Sequence, residues 1–168
     1  MALTGKLEAD VEIKASADKF HDVFGSRPHH VKHATPHNIK GCELHDGEFG
    51  KEGSVVFWNY VHDGGFGKEG SVVFWNYVHD GVSKVAKEIV EKIDDVNLST
   101  TFTVIEGDLL KEYKNFKITV KATPKGTGSV AHWTLEYEKL NKDIPDPHSL
   151  VKFLLDVSKD IDAHLTKA

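Results

Sequence analysis

The chain has 168 residues with a formal charge of −5, and 39% of its residues are apolar and 10% aromatic. This length and composition predict one domain with a single buried core, and exclude a disordered chain. The negative charge argues against the basic surface that general nucleic-acid binding requires, so we expect no nucleic-acid partner.

The longest apolar runs, such as Val55 to Trp58, are far too short to cross a membrane. No basic segment followed by an apolar run opens the chain, so we expect no signal peptide and no stable membrane insertion. Cys42 is the only cysteine, so no intrachain disulfide can form. A single cysteine is typical of a reducing compartment and favours a cytoplasmic location.

The N-terminal segment predicts one strand followed by short helices. "LEADVEIKAS" alternates apolar and charged residues with a period of two, which is typical of a half-buried strand. "SADKFHDVF" follows, with Ser16 as a plausible N-cap and Phe20 and Phe24 one turn apart, and predicts a short helix. Arg27 and Pro36 bound a second short helical fragment.

The middle of the chain predicts a series of antiparallel strands. "NIKGCELHDG" and "SVVFWNYVHDG" are each closed by an Asp-Gly turn. "VSKVAKEIVEKID" fits a helix as well as a bulged strand, and the pattern leaves both open. "LSTTFTVIEGDLL", "YKNFKITVKATPKG" and "SVAHWTLEYEKL" predict strands, and the "PKGTG" turn joins the last two as a hairpin.

The C-terminal segment predicts one long amphipathic helix. Asp146 is the expected N-cap and Pro147 the first helical residue. Apolar residues then recur at helical spacing: Leu150, Leu154, Val157, Ile161 and Leu165. The outline is an α+β domain in which this helix packs against the apolar face of an antiparallel sheet.

Several of these segments resemble the plant major latex proteins, within the superfamily of the birch pollen allergen and the intracellular pathogenesis-related proteins. The segments are "GKLEADVEIKASADKFHDVF", "FWNYVHDG", "VIEGDLLKEYKNFKITV" and "HWTLEYEKLN…PDPHSLVKFLLDVSKDID". The resemblance covers the whole chain except for one copy of an internal repeat.

The resemblance implies a single helix-grip domain over residues 1–168: a curved seven-stranded antiparallel sheet around the C-terminal helix, with two short helices after the first strand. It also implies a large apolar cavity that binds a sterol, lipid, phenolic or hormone-like molecule, and a link to plant defence and stress responses. We expect a non-enzymatic carrier without a cofactor, and a monomer, with a strand-swapped dimer as the alternative.

The expected cavity lining is the inward-facing set of apolar residues on the predicted strands and helix. Tyr137 is the expected polar anchor among them. The set consists of Phe116, Ile118, Trp133, Leu135, Tyr137, Phe153, Leu154 and Val157. The alternative is that these side chains simply fill the core.

Other functions are less favoured by the sequence. His29, His33 and His37 would share one helix face and could bind zinc, but Pro36 interrupts the helix and no further ligand lies nearby, so we predict no metal site. Some relatives resemble cavity enzymes, such as ribonucleases or condensing enzymes, which need inward-facing charged groups. The charged residues of the last two strands are predicted to face outward. A stress-signalling interaction module is the remaining alternative.

The segment from Phe49 to Gly64 is repeated letter for letter from Phe66 to Gly81. The junction Gly65-x-Gly67-x-x-Gly70 matches a dinucleotide-binding pattern, but a strand follows it where that chemistry needs a helix, so we interpret it as a product of the duplication. One extra strand would reverse all later strands of a meander. We therefore expect one copy to form the third strand and the other to be looped out, and the turn after the second copy favours the second as the strand.

Overall fold

The computed structural model describes residues 3–25, 34–35, 39–46, 72–79 and 81–166. These residues form seven strands, two helices and one short 3-10 turn at Asp108–Lys111. The strands are β1 (Thr4–Ile13), β2 (Ile39–Asp46), β3 (Val72–His79), β4 (Val82–Asp94), β5 (Ser99–Gly107), β6 (Tyr113–Lys125) and β7 (Gly128–Lys139). The helices are α1 (Ala17–Gly25) and α2 (His148–Leu165).

All seven strands belong to one antiparallel sheet in the order β1-β7-β6-β5-β4-β3-β2. The alternation of β7 is reproduced in the structure, because its inward residues Ala131, Trp133, Leu135 and Tyr137 are all buried. The predicted α+β class and the seven-stranded antiparallel sheet are therefore confirmed.

The ambiguous segment "VSKVAKEIVEKID" is the bulged strand β4. It pairs with β3 on one side and β5 on the other, with register shifts between Lys87 and Glu88 and between Val90 and Lys92. Two strand partners satisfy its backbone groups, which outweighs its helix-compatible spacing. The predicted strand "LSTTFTVIEGDLL" is wrong at both ends: β5 begins one residue later, at Ser99, and residues 108–111 form the 3-10 turn.

Helix α2 packs on the inward face of the sheet. Its buried residues are Leu150, Phe153, Leu154, Val157, Ser158 and Ile161, which confirms the predicted apolar stripe. Ser158 is a polar member of this face: its hydroxyl accepts from the Trp133 indole N–H at 2.7 Å and donates to the Leu154 carbonyl at 2.8 Å. The Asp162 carboxylate accepts from the backbone N–H groups of Lys14 and Ala15, which ties α2 to the end of β1.

The predicted start of α2 is wrong by one residue. Pro147 is the N-cap and the helix begins at His148, with no side chain capping its N-terminus. The Asp146 carboxylate, predicted to be that cap, instead accepts from the Tyr137 hydroxyl at 2.7 Å and pairs with Lys139 at 3.0 Å. A tyrosine and a lysine on the neighbouring strand therefore compete successfully with the local capping geometry.

Helix α1 follows the sequence prediction. The Ser16 hydroxyl accepts from the Lys19 backbone N–H at 3.3 Å, as an N-cap does. Phe20 and Phe24 are buried, and the Phe24 ring lies 5.2 Å from the Trp133 ring in an edge-to-face arrangement. The second short helix was predicted within residues 27–36, most of which lie outside the described residues.

Strand β3 consists of residues from the second copy of the repeat. It pairs with β4 without a register shift, and Gly81, in the turn that joins them, has a φ of 75° that favours glycine. Among the described residues, the second copy therefore provides the third strand. The first copy, the Gly65-x-Gly67-x-x-Gly70 junction and the histidines at 29, 33 and 37 lie outside the described residues.

A matched pair of substitutions tests the expectation that the first copy is looped out. Trp75→Ala should lower the free energy of unfolding by about 3 kcal/mol, because this buried side chain packs edge-to-face on Phe102. Trp58→Ala changes the identical residue of the first copy and should cost less than about 0.5 kcal/mol. Urea unfolding measures both, and equal losses would contradict the expectation.

Candidate ligand cavity

A cavity lies between the inward face of the sheet and α2. The volume of this cavity is about 70 Å³. Its walls are apolar or aromatic except for one carboxyl group, on Glu88. The lining residues are Phe24, Ile39, Trp75, Tyr77, Ala86, Glu88, Phe102, Leu109, Ile118, Trp133, Leu150, Phe153, Leu154 and Val157.

The cavity is smaller than the resemblance to the major latex proteins implies. Pockets for drug-sized ligands usually enclose about 300–1,000 Å³. Here Phe153, Leu154 and Val157 of α2 face Trp75 and Tyr77 of β3 across the interior, and these large side chains occupy much of the space. A ligand of sterol size therefore requires lining side chains to move.

The structure brings five of the eight predicted lining residues to this cavity: Ile118, Trp133, Phe153, Leu154 and Val157. The other three, Phe116, Leu135 and Tyr137, are buried but do not line it. Whether the five contact a ligand stays a prediction.

Phe116 and Tyr137 belong instead to an aromatic cluster with Tyr113. The ring centroids in this cluster are 5.0 to 5.9 Å apart. The Tyr137 ring lies over Gly5, where a Cβ atom would come within 2.6 Å of the tyrosine hydroxyl. That hydroxyl donates to Asp146, and burial together with this carboxylate raises the pKa of Tyr137. Tyr137 therefore packs in this cluster and does not line the cavity.

The polar groups of the cavity come from β3 and β4, which the sequence prediction of the lining did not include. Trp75 and Tyr77 are successive inward-facing residues of β3. Glu88 is at an inward position of β4. The alternation of aromatic and polar residues in "WNY" could have identified Trp75 and Tyr77 as inward-facing. Glu88 could be identified only after β4 was assigned as a strand, because its neighbours Ala86 and Val90 then share its face.

Burial determines the charge state of this wall. Glu88 is 5% exposed, and loss of hydration raises the pKa of its carboxyl to about 8. The Trp75 indole lies close to the carboxyl and offsets part of the rise, but its N–H falls short of hydrogen-bond geometry. Burial, with contributions from Glu88 and Asp108, raises the pKa of Tyr77. Both groups are therefore largely protonated at pH 7.

The arrangement suits the retention of an apolar molecule with a polar end.

Among the described residues no group of three or more histidine, cysteine, aspartate or glutamate side chains could hold a metal ion. No helix in this part of the chain is long and apolar enough to span a membrane.

Comparisons with known proteins agree with the fold. The model of the pathogenesis-related protein Bet v 1 family matches residues 2–66 and, again, 61–168, so the match breaks at the repeat. MLP-like protein 31 of Arabidopsis thaliana is 53% identical over 98% of this chain and 87% of its own length. MLP-like protein 28 of the same plant is 52% identical over 98% of this chain. The match covers only 44% of that protein's length.

Solved structures show the same likeness. The crystal structure of major latex-like protein 151 from Panax ginseng is 44% identical, with a TM-score of 0.86 over 98% of this chain and 99% of that one. Norcoclaurine synthase from Thalictrum flavum is 17% identical with a TM-score of 0.67 over 98% and 97% of the two chains, and shares the fold alone. These matches, and the seven-stranded antiparallel sheet closed by a long C-terminal helix, show that the chain belongs to the pathogenesis-related protein Bet v 1 family.

Proposed function

We propose that the protein binds and carries an apolar small molecule, such as a sterol, lipid, phenolic or hormone-like compound, in the cavity between the sheet and α2. The observation that carries this proposal is the lining, which is apolar or aromatic except for Glu88. A water molecule finds few hydrogen-bond partners in such a space, whereas an apolar ligand buries its surface there.

The cellular setting of this function rests on the resemblance to the major latex proteins. We place the protein in the cytoplasm, as a monomer with a role in defence or stress responses. A strand-swapped dimer is the alternative assembly, because the sequence contains the β3 segment twice.

A cavity enzyme is the second candidate function, and Glu88 is the observation that favours it. A buried carboxyl whose pKa lies near neutrality is suited to proton transfer at a reacting group. The other charged residues considered for such a role, Glu136, Glu138, Lys117 and Lys121, occupy the outward face opposite the buried positions of β6 and β7.

Extraction of the purified protein with organic solvent, followed by mass spectrometry, tests the proposal. We expect one class of apolar compound, recovered intact after it is added back and incubated with the protein. A compound that returns chemically altered would favour the enzyme. An empty extract, with no binding of fluorescent apolar probes, would contradict the carrier function.

A cavity-filling substitution provides a second test. Ala86→Leu places a larger side chain in the cavity and should weaken binding of an apolar probe at least about tenfold. The added volume should cost about 1 to 3 kcal/mol of stability. Ser83→Leu is the matched control, since Ser83 is an exposed residue of the same strand and does not line the cavity. Probe titrations with both variants measure the effect, and equal binding by the two would argue against this cavity as the site.

A further inference from the structure

Two hydrogen-bond donors on the cavity wall have no partner among the described residues. They are the indole Nε1 of Trp75 and the hydroxyl of Tyr77, whose side chains are 8% and 5% exposed. Buried polar groups in proteins are nearly always hydrogen-bonded, and an unpaired one destabilises the fold. Two such donors on the wall of one cavity point to an oxygen acceptor supplied by a ligand.

The two donors and Glu88 lie on one patch of the sheet. Trp75 and Tyr77 are successive inward residues of β3, and Trp75 is paired with Ala86 on β4. Glu88 is the next inward residue of β4 and therefore lies diagonally across from Trp75. Trp75, Tyr77 and Glu88 are therefore neighbours on the inward face of the sheet, and together they form the polar patch of an otherwise apolar site.

Every member of the polar patch carries a hydrogen-bond donor. The indole can only donate, the tyrosine hydroxyl stays protonated, and a neutral Glu88 carries a further O–H. The other ionisable groups on this side of the sheet have partners of their own. Lys84 lies 3.5 Å from the His79 ring and His79 lies 3.0 Å from Ser149. The Asp108 carboxylate accepts from the Val85 backbone N–H, and the α2 residues that line the cavity are apolar.

We propose that the ligand is an apolar molecule with an uncharged oxygen acceptor, such as a carbonyl, which accepts hydrogen bonds from Trp75 and Tyr77, while Glu88 disfavours anions. This inference rests on the proposed function and narrows its ligand class. A carboxylate ligand would lose its hydration on entering the cavity and would repel Glu88 whenever both are ionised. Ionisation of Glu88 at high pH would likewise weaken the binding of a carbonyl compound.

Ethylbenzene and acetophenone test this proposal, because they have nearly the same shape and differ by one carbonyl. Calorimetric titrations use the wild type, Trp75→Phe and Tyr77→Phe. We expect each substitution to weaken acetophenone about fivefold, the effect of one hydrogen bond, and to change ethylbenzene less than about twofold. Trp58→Phe and Tyr60→Phe, in the first copy of the repeat, are the matched controls. Between pH 6 and pH 9 the acetophenone affinity of the wild type should fall, and that of Glu88→Gln should stay constant.

The outcomes distinguish the proposed function from the assignment of the two donors. If neither compound binds the wild type, the apolar-ligand function and the proposal both fail. If both bind and the substitutions weaken them by the same factor, only the assignment of the donors is overturned. If benzylammonium binds more tightly than acetophenone, and more so as the pH rises through 8, the polar patch selects cations and the proposal is wrong.

Discussion

Gly107→Ala is expected to lower the free energy of unfolding by at least about 3 kcal/mol. Gly107 ends β5 with a φ of 124° and a ψ of −170°, a backbone conformation that residues with a Cβ atom rarely adopt. A Cβ atom at this position would lie 2.3 Å from the Val85 carbonyl oxygen and 2.9 Å from the Ala86 Cα. Both contacts are to backbone atoms of β4, so no side-chain rotation relieves them.

The same substitution should weaken ligand binding. Gly107 pairs with Ala86, which lines the cavity, and precedes the 3-10 turn that brings Leu109 to the cavity wall. Asp108 of that turn accepts from the Val85 backbone N–H at 2.8 Å. A displaced β5 end would move this whole edge of the site.

Gly126→Ala is the matched control for this prediction. Gly126 also has a positive φ, 61°, but no heavy atom lies within 4 Å of where its Cβ would be. The substitution should therefore cost only the left-handed backbone preference, about 1 kcal/mol. Urea unfolding of both variants gives the comparison. A loss for Gly107→Ala no larger than that for Gly126→Ala would show that β4 yields readily and that the close contact is not a constraint.

Local patterns predicted most of the fold because each strand and helix has one buried face. The alternation in β6 and β7 predicted one apolar face for each strand. The helical spacing from Leu150 to Ile161 predicted one for α2, and the structure buries these faces. Long-range contacts were beyond such patterns. The Asp146 carboxylate lies near the start of α2 in the sequence, but its partners Tyr137 and Lys139 are on β7.

The candidate site was predicted less completely for the same reason. Tyr137 and Glu88 are both polar groups at inward positions, and only the packing around them separates their roles. Tyr137 has an Asp146 acceptor, whereas no charged partner faces Glu88 among the described residues. The position of β4 in the sheet had to be known before Glu88 could be assigned an inward face.

Glu88→Gln is expected to stabilise the protein at neutral and alkaline pH. The glutamine has nearly the volume of the protonated glutamate and cannot ionise. In the folded protein the pKa of Glu88 is raised from 4.5 to about 8 by burial. Between these values the native state holds a proton that the unfolded chain releases, so the stability contributed by this group falls as the pH rises. At about 1.4 kcal/mol per pH unit, the wild type should be less stable than Glu88→Gln by roughly 3 kcal/mol at pH 7.

The pH dependence of the difference identifies its cause. Below about pH 4.5 the carboxyl is protonated in both states, so the two proteins should have nearly equal free energies of unfolding. The difference should grow up to about pH 8 and remain constant above it, where Glu88 is ionised in both states. Urea unfolding from pH 4 to pH 9 measures it, with Glu106→Gln, at an exposed residue, as the control. A difference that does not change with pH would mean that Glu88 is ionised in the native cavity. The polar patch would then present a negative charge to its ligand and would favour a cation over a carbonyl compound.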